Sequence, residues 1–251
     1  MRNGFWRKLA TRFFAAALAL QSVPAQSQET ASPLPDASQS PVTEDDAAKA
    51  VAATVQAFYD QTTSINAHFY QTYVNKLYQR TDRSKGTVAF EKPGKMRWDY
   101  GTANNVPNKK VIASDGQRLQ VYEPGEEGEQ GQIFTRSGIA GQLPRAMSFL
   151  TGAGRLEEDF DFRLLDSARN GFPTGHVLEM RSKTPTPEFD RVVLYVESNP
   201  ALRGLVRRVL IVDHDGNRNR FDFSRLKFNS PNPQTNFSHI AVPKGTRQLE
   251  M

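Results

Sequence analysis

The chain has no cysteine in its 251 residues, and that one absence removes several classes of protein. A disulfide scaffold, a thiol nucleophile, a cysteine metal site and a lipid-attachment cysteine are all excluded. Histidine is scarce as well: His68, His176, His214 and His239 stand far apart, without metal-ligand spacing. No HExxH, GxSxG, phosphate loop or GxGxxG occurs, so neither a cofactor nor a metal site is expected, and no enzyme. A true basic excess is missing too, despite a pI of 9.4. Residues 1–25 hold Arg2, Arg7, Lys8 and Arg12 with no acid, and the rest carries 28 basic against 27 acidic residues. Nucleic acid therefore loses its electrostatic support as a partner. No apolar run approaches the roughly 20 residues that a membrane-spanning helix requires.

The longest apolar run, Phe13 to Leu20, follows a positive segment and precedes Val23-Pro24-Ala25. Cations, a short apolar stretch and small residues at a cut site are the layout of a secretory signal peptide. Gln26 onward is rich in Ser, Pro, Gln and Ala with little to bury, and reads as a flexible leader. The chain thus divides into a signal peptide over 1–25, a leader over 26–45 and one domain over 46–251. The junction lies at the Thr43–Asp46 cap. Export fits the lack of cysteine, because a lone thiol is a liability in an oxidising compartment.

Thr43 followed by Glu44, Asp45 and Asp46 predicts a capped helix start, with acids placed to suit the helix dipole. Ala47, Val51, Val55 and Phe58 then form one apolar stripe, which predicts a helix of about four turns. Beyond Asn66 the period falls to two. Met96, Trp98 and Tyr100 face one way and Arg97 and Asp99 the other. The same alternation recurs at Leu119/Val121, Phe160/Phe162/Leu164, Val192/Leu194/Val196, Leu210/Val212 and Phe221/Phe223. Turn residues separate these runs, as in Lys92-Pro93-Gly94, Ser114-Asp115-Gly116 and Asp213-His214-Asp215-Gly216-Asn217. Short strands joined by tight turns predict an antiparallel meander, not parallel units crossed by helices. Leu143 to Leu150, with Pro144 at a first helical position, predicts one short helix bearing Leu143, Met147 and Leu150 on one face. The expected fold is α+β: a large curved antiparallel sheet, one long helix and at least one short one.

The polar clusters have ordinary readings. Glu157, Glu158, Asp159 and Asp161 alternate with Phe160 and Phe162 and read as a solvated strand face. Asp213 to Asn219 resembles a calcium loop, but Gly216 is fourth where sixth is needed and Ser224 holds the twelfth position. A hairpin turn accounts for the same residues. The aromatics carry more information. A curved sheet can enclose a ligand cavity instead of filling its interior. On that reading Phe69, Phe90, Met96, Trp98 and Tyr122 line a hydrophobic cavity, roofed by Met147, Phe149 and Leu150.

Several segments, in order, resemble the LolA family of periplasmic lipoprotein carriers. They are His68-Phe69-Tyr70-Gln71, Gly86 to Phe90, Lys92-Pro93-Gly94-Lys95-Met96-Arg97-Trp98-Asp99-Tyr100, Val111 to Pro124, Leu143 to Leu150 and Phe237 to Gly245. The last of these is similar to the terminal strand and Pro-x-Gly turn of those carriers. The resemblance implies an unclosed antiparallel β-barrel, a lid of short α-helices and a hydrophobic cavity for lipoprotein acyl chains. It implies a periplasmic location in a Gram-negative bacterium and a monomer that meets membranes only transiently. It also implies an ABC-type exporter in the inner membrane as donor and an outer-membrane acceptor. Family members carry Arg before the proline of the Lys92-Pro93 pair, where it holds the lid by hydrogen bonds to the helices. Lys92 keeps that charge without the planar fork, so Lys92, or the nearby Arg97, is the implied lid latch. Met96 stands where an aromatic is often found. The alternative is an envelope-stress sensor on the same half-barrel, binding lipoprotein or lipid together with a regulatory protein.

Overall fold

A computed structural model describes residues 43–101, 109–126, 129–138, 147–151, 154–231 and 233–250, with backbone alone at 148 and 151. The signal peptide over 1–25, nearly all of the leader and Leu143 to Ala146 lie outside the described residues. Helix α1 spans Glu44–Asp60, and its start follows from the sequence. The Thr43 hydroxyl accepts from the Asp46 backbone N–H at 3.2 Å, and the Asp46 carboxylate accepts from the Thr43 backbone N–H at 3.4 Å. This reciprocal pair satisfies backbone donors that no helical carbonyl can reach. Val51, Val55 and Tyr59 bury one face together with Ala48 and Ala52, a stripe rotated slightly from Ala47 and Phe58. The helix ends where the Thr62 hydroxyl donates to Phe58 O at 2.8 Å and the Asn229 side chain accepts from Thr63 N at 2.8 Å.

Twelve strands form one sheet. They are β1 (Ser64–Asn75), β2 (Arg80–Glu91), β3 (Lys95–Tyr100), β4 (Val111–Asp115), β5 (Arg118–Glu123), β6 (Gln132–Ser137), β7 (Phe160–Leu165), β8 (Gly175–Ser182), β9 (Arg191–Glu197), β10 (Val206–Val212), β11 (Arg218–Phe228) and β12 (Arg247–Glu250). Their spatial order is β12-β6-β5-β4-β3-β2-β1-β11-β10-β9-β8-β7. One meander runs from β1 to β6 and a second from β7 to β11. The pairing of β1 with β11 joins them, with Phe69 opposite Phe223 and Gln71 opposite Phe221. Neighbours are antiparallel except β12, which runs parallel to β6. β7 and β12 are the two ends of the order, so the barrel is left open. Short helices α2 (Ser148–Thr151) and α3 (Leu156–Asp159) fall between the meanders.

Two expectations need correction. Glu157, Glu158 and Asp159 lie on helix α3, and only Asp161 lies on a strand. The cause is Leu156: it is buried, and its N–H donates to the Gln56 side chain on α1 at 2.9 Å, which anchors a helical turn there. Phe237 to Gly245 is irregular, and the last strand is Arg247–Glu250. Carbonyls that a ladder would use are instead taken by arginines, as Asn236 O and His239 O bond to Arg97 and Ser238 O bonds to Arg118. The Asp213–Asn217 run is a hairpin turn between β10 and β11. The Asp213 carboxylate accepts from the backbone N–H groups of Asp215 and Asn217 and from the Asn217 side chain.

The core divides by sheet face. The inner face carries α1 and the larger cluster, including Phe69, Phe90, Trp98, Leu178, Leu194, Phe221 and Phe223. On the other face, Ala113, Tyr122 and Ile133 are covered by Ile240 and Val242. Val177, Val193 and Tyr195 form a third cluster with Phe172 and Leu210.

Candidate functional site

The inner face is built around Trp98 at the middle of β3. Its indole is 6% exposed. Around it stand Phe69 at 5.0 Å between ring centroids, Phe221 at 5.2 Å, Phe90 at 5.7 Å and Phe223 at 6.2 Å. Tyr100 adds an edge contact to Phe69 at 5.0 Å. Most of these pairs are edge-to-face, the arrangement that ring quadrupoles favour. Gly86 makes room for the cluster, since a Cβ there would lie 2.8 Å from the Phe69 ring and 2.0 Å from Asp99 O. Helix α1 packs against β7, β8 and the short helices and joins the same apolar core, with the Tyr59 ring 5.1 Å from that of Phe149. The Tyr59 hydroxyl accepts from Val206 N at 3.2 Å. Burial pushes the phenols of Tyr59 and Tyr100 well above their ordinary range, so both stay neutral in this apolar setting.

Seven of the eight residues expected to line or roof a cavity converge here. Phe69, Phe90, Met96, Trp98, Phe149 and Leu150 are buried in the inner cluster, and Met147 packs against it half-buried. Tyr122 does not join them. It points to the opposite face and packs with Ala113, Ile133 and Ile240. Beside it lies a surface cleft of about 550 Å³, lined by Glu126, Glu129, Gln130 and Lys244 among others. Around Trp98 the inner face is occupied, among the described residues, by the rings of Phe69, Phe90, Phe221 and Phe223.

The expected latch residues separate just as clearly. Lys92 Nζ donates to Tyr59 O at 2.6 Å, with Asp60 O at 3.4 Å. These are carbonyls at the C-terminal end of α1, and the last turn of α1 has no basic residue of its own. A cation from the β2–β3 turn thus meets the negative end of the helix. Arg97 lies elsewhere. Its guanidinium forks onto Asp99 with Nε to Oδ2 at 2.8 Å and donates to Asn236 O at 2.7 Å and His239 O at 3.3 Å. Alternation along β3 sets this, since Arg97 faces away from Trp98. Arg97 therefore clamps the segment before β12 and does not touch α1.

Phe221, Phe223, Tyr59 and Tyr100 complete the site without having been singled out as site residues. The alternation of Phe221 and Phe223 is legible in the sequence. What it lacks is any local sign that β11 pairs with β1. Past Phe69 the inner face turns polar: Gln71 is buried and donates to the Asn219 side chain at 2.8 Å.

The site is thus an open antiparallel sheet with an aromatic inner face and a helix whose C-terminal carbonyls take the Lys92 ammonium. A family profile described as "Outer membrane lipoprotein carrier protein LolA" matches residues 60–239. The chain belongs to that family. A curated outer-membrane lipoprotein carrier protein of Nitrosospira multiformis is 28% identical over 193 residues, covering 76% of this chain and 84% of that protein. One from Methylobacillus flagellatus is 25% identical over 193 residues, with the same shares of each chain. A crystal structure of a LolA superfamily protein from Nitrosomonas europaea aligns at a TM-score of 0.35 and 11% identity, over 74% of this chain and 94% of that one.

Proposed function

We propose that this protein carries lipoproteins through the periplasm, with their acyl chains held between α1 and the inner face of the sheet. Its partners on this reading are acylated lipoproteins, an ABC-type exporter that loads them and an outer-membrane acceptor that removes them. The role is binding and release, with no chemical step. The observation that carries the reading is the aromatic cluster around Trp98, which shares one apolar core with helix α1, whose last carbonyls take the ammonium of Lys92.

The physical need for such a container is large. At about 0.8 kcal/mol per buried methylene, exposing a chain of about 15 carbons costs on the order of 12 kcal/mol. Loading replaces ring-to-ring contacts with ring-to-acyl contacts, so the inner face stays dry in both states. Met96 and Met147 suit a lining that must repack, because their unbranched side chains adapt to different shapes.

Native mass spectrometry of the protein from a periplasmic extract, followed by lipid extraction, tests the proposal. A stoichiometric acylated lipoprotein is the expected finding. A clean apo mass, with no uptake of added lipopeptide, would overturn it and leave the rings as plain core. Trp98→Glu refines the assignment, because an unpaired charge on the inner face opposes lipid entry. Uptake should vanish while the far-UV circular dichroism remains. Normal uptake by that variant would remove Trp98 from the site.

A further inference from the structure

The hairpin of β1 and β2 has one end at the α1 latch and the other far from it. Ser64 pairs with Glu91 beside Lys92, and Asn75 pairs with Arg80 at the tip. Eleven residues of strand separate the two ends, about 36 Å at 3.3 Å per residue. Among the described residues, pairing of β2 with β3 extends to Gly86 opposite Tyr100, and the outer half of β2 runs on beyond β3. Every residue from Lys76 to Lys85 is exposed. At the apex stand Leu77 at 80% and Tyr78 at 72% exposure, two apolar side chains that the fold makes no use of.

The tip is built, not frayed. Asn75 Oδ1 accepts from Tyr78 N at 2.9 Å, and Asn217 Oδ1 from the neighbouring turn accepts from Lys76 N at 2.9 Å. Lys76 lies against that turn, where a Cβ at Gly216 would meet its stem at 2.9 Å. The flanks are basic. Lys76, Arg80, Arg83 and Lys85 stand against one acid, Asp82, which pairs with Arg80 at 2.8 Å. The acids of the adjacent turn are Asp213 and Asp215, and the Asp213 carboxylate is occupied by the turn's own N–H groups.

We propose that this tip is a membrane-contact site that takes the surface of an anionic bilayer. Leucine enters the acyl boundary, the tyrosine ring sits at headgroup level, and the lysine and arginines reach lipid phosphates. The shape favours a bilayer over a protein. A stable protein interface needs about 800 Å² per partner with an apolar centre. Two side chains on a narrow apex flanked by charge form no such patch, yet they suit a soft interface that closes around them. The distance from the latch lets the protein touch a membrane without disturbing α1. The inference stands on the exposed tip and does not need a lipid inside the protein.

Flotation of the purified protein with vesicles tests it, comparing phosphatidylcholine alone with the same lipid carrying about a third phosphatidylglycerol. Flotation is expected with the anionic vesicles only, and should weaken with added salt. The Leu77→Asp/Tyr78→Asp double variant should bind about tenfold less or worse, while Leu77→Phe/Tyr78→Phe retains binding. Tyr78→Trp supplies a second readout, a blue-shifted emission band on adding anionic vesicles. Failure of the wild-type protein to float with them, or equal flotation by the Asp variant, would overturn the proposal. So would loss of cargo delivery by that variant without any change in flotation, which assigns the tip to a protein partner. Lipopeptide uptake by the same variant is expected to be normal. A wild-type chain that floats but takes up no lipopeptide would sink the carrier reading and leave this one standing.

Discussion

Two segments lie across this sheet, and they are fastened in opposite ways. Helix α1 packs on the inner face through apolar contacts, and at its C-terminal end the flexible ammonium of Lys92 meets its last carbonyls beside an exposed Arg155–Asp60 pair at 3.5 Å and the Tyr59 hydroxyl on Val206 N. The irregular segment before β12 covers the outer face at β4 to β6 and is tied by two guanidinium groups. Arg97 reaches Asn236 O and His239 O while locked to Asp99, and Arg118 reaches Ser238 O at 2.7 Å. β12 then adds main-chain pairing to β6. Planar forks fixed by a carboxylate hold one geometry, whereas an ammonium on a four-carbon stem releases and re-forms easily. On the proposed carrier function, the difference separates a cover that has to lift from one that has to stay.

The largest expected effects come from truncating one apolar residue under each cover. Phe221→Ala removes a ring from the Trp98 cluster and should cost about 3–5 kcal/mol of stability. Ile240→Ala on the outer face should cost about 2–5 kcal/mol. The two should differ in rescue. Added lipopeptide binds the folded state of the inner-face variant and raises its melting temperature, whereas the outer-face variant should recover no more than the wild-type protein gains. Equal extra recovery by both would erase the distinction between the faces.

Arg97→Ala comes next. It removes charge-assisted hydrogen bonds worth about 1.5–3 kcal/mol and leaves the Asp99 carboxylate without its fork. Amide exchange should rise over residues 236–242 and not over α1. Faster exchange in α1 would mean that the two covers are coupled.

How much of this was legible depends on the range over which each residue acts. The capped start of α1 and the alternation of β3 are local, so Thr43, Asp46, Met96 and Trp98 were placed by sequence alone. Alternation along β5 also puts Tyr122 opposite Leu119 and Val121, yet an aromatic beside a cavity-like run reads as lining unless that parity is enforced. β9 hides its faces, because Val192, Leu194 and Val196 bury on one side while Val193 and Tyr195 bury on the other. The β1–β11 pairing and the arginine clamp of the last segment are long-range, and no local pattern announces them. Lys92 was legible only through the family's habit of placing a cation there. Which carbonyls it meets is a property of the folded chain.

Lys92 itself should give a small equilibrium effect and a larger kinetic one. Lys92→Met loses a helix-end charge interaction of about 0.3–1 kcal/mol, near the limit of a denaturation curve. Lipopeptide exchange should nevertheless speed up, because the lid loses the tie that its apolar contacts do not replace. Lys92→Arg should slow exchange, since a guanidinium can engage Tyr59 O and Asp60 O together. Unchanged exchange in both variants would show that the Lys92 tie does not control release.

The smallest effect lies at the other end of the same helix and depends on pH. Hydrogen bonds to Thr43 hold the Asp46 carboxyl below its ordinary value of 3.8. A depressed folded pKa means that the contribution is present above the unfolded value and is lost as pH falls through the folded one. Acid should therefore loosen the first turn of α1 below about pH 4. Thr43→Ala should remove that pH dependence by disabling the cap at every pH. Amide exchange at Ala47 across a titration from neutral to acid reads this directly. A wild-type profile identical to that of the variant would show that the cap does not hold this end of the lid.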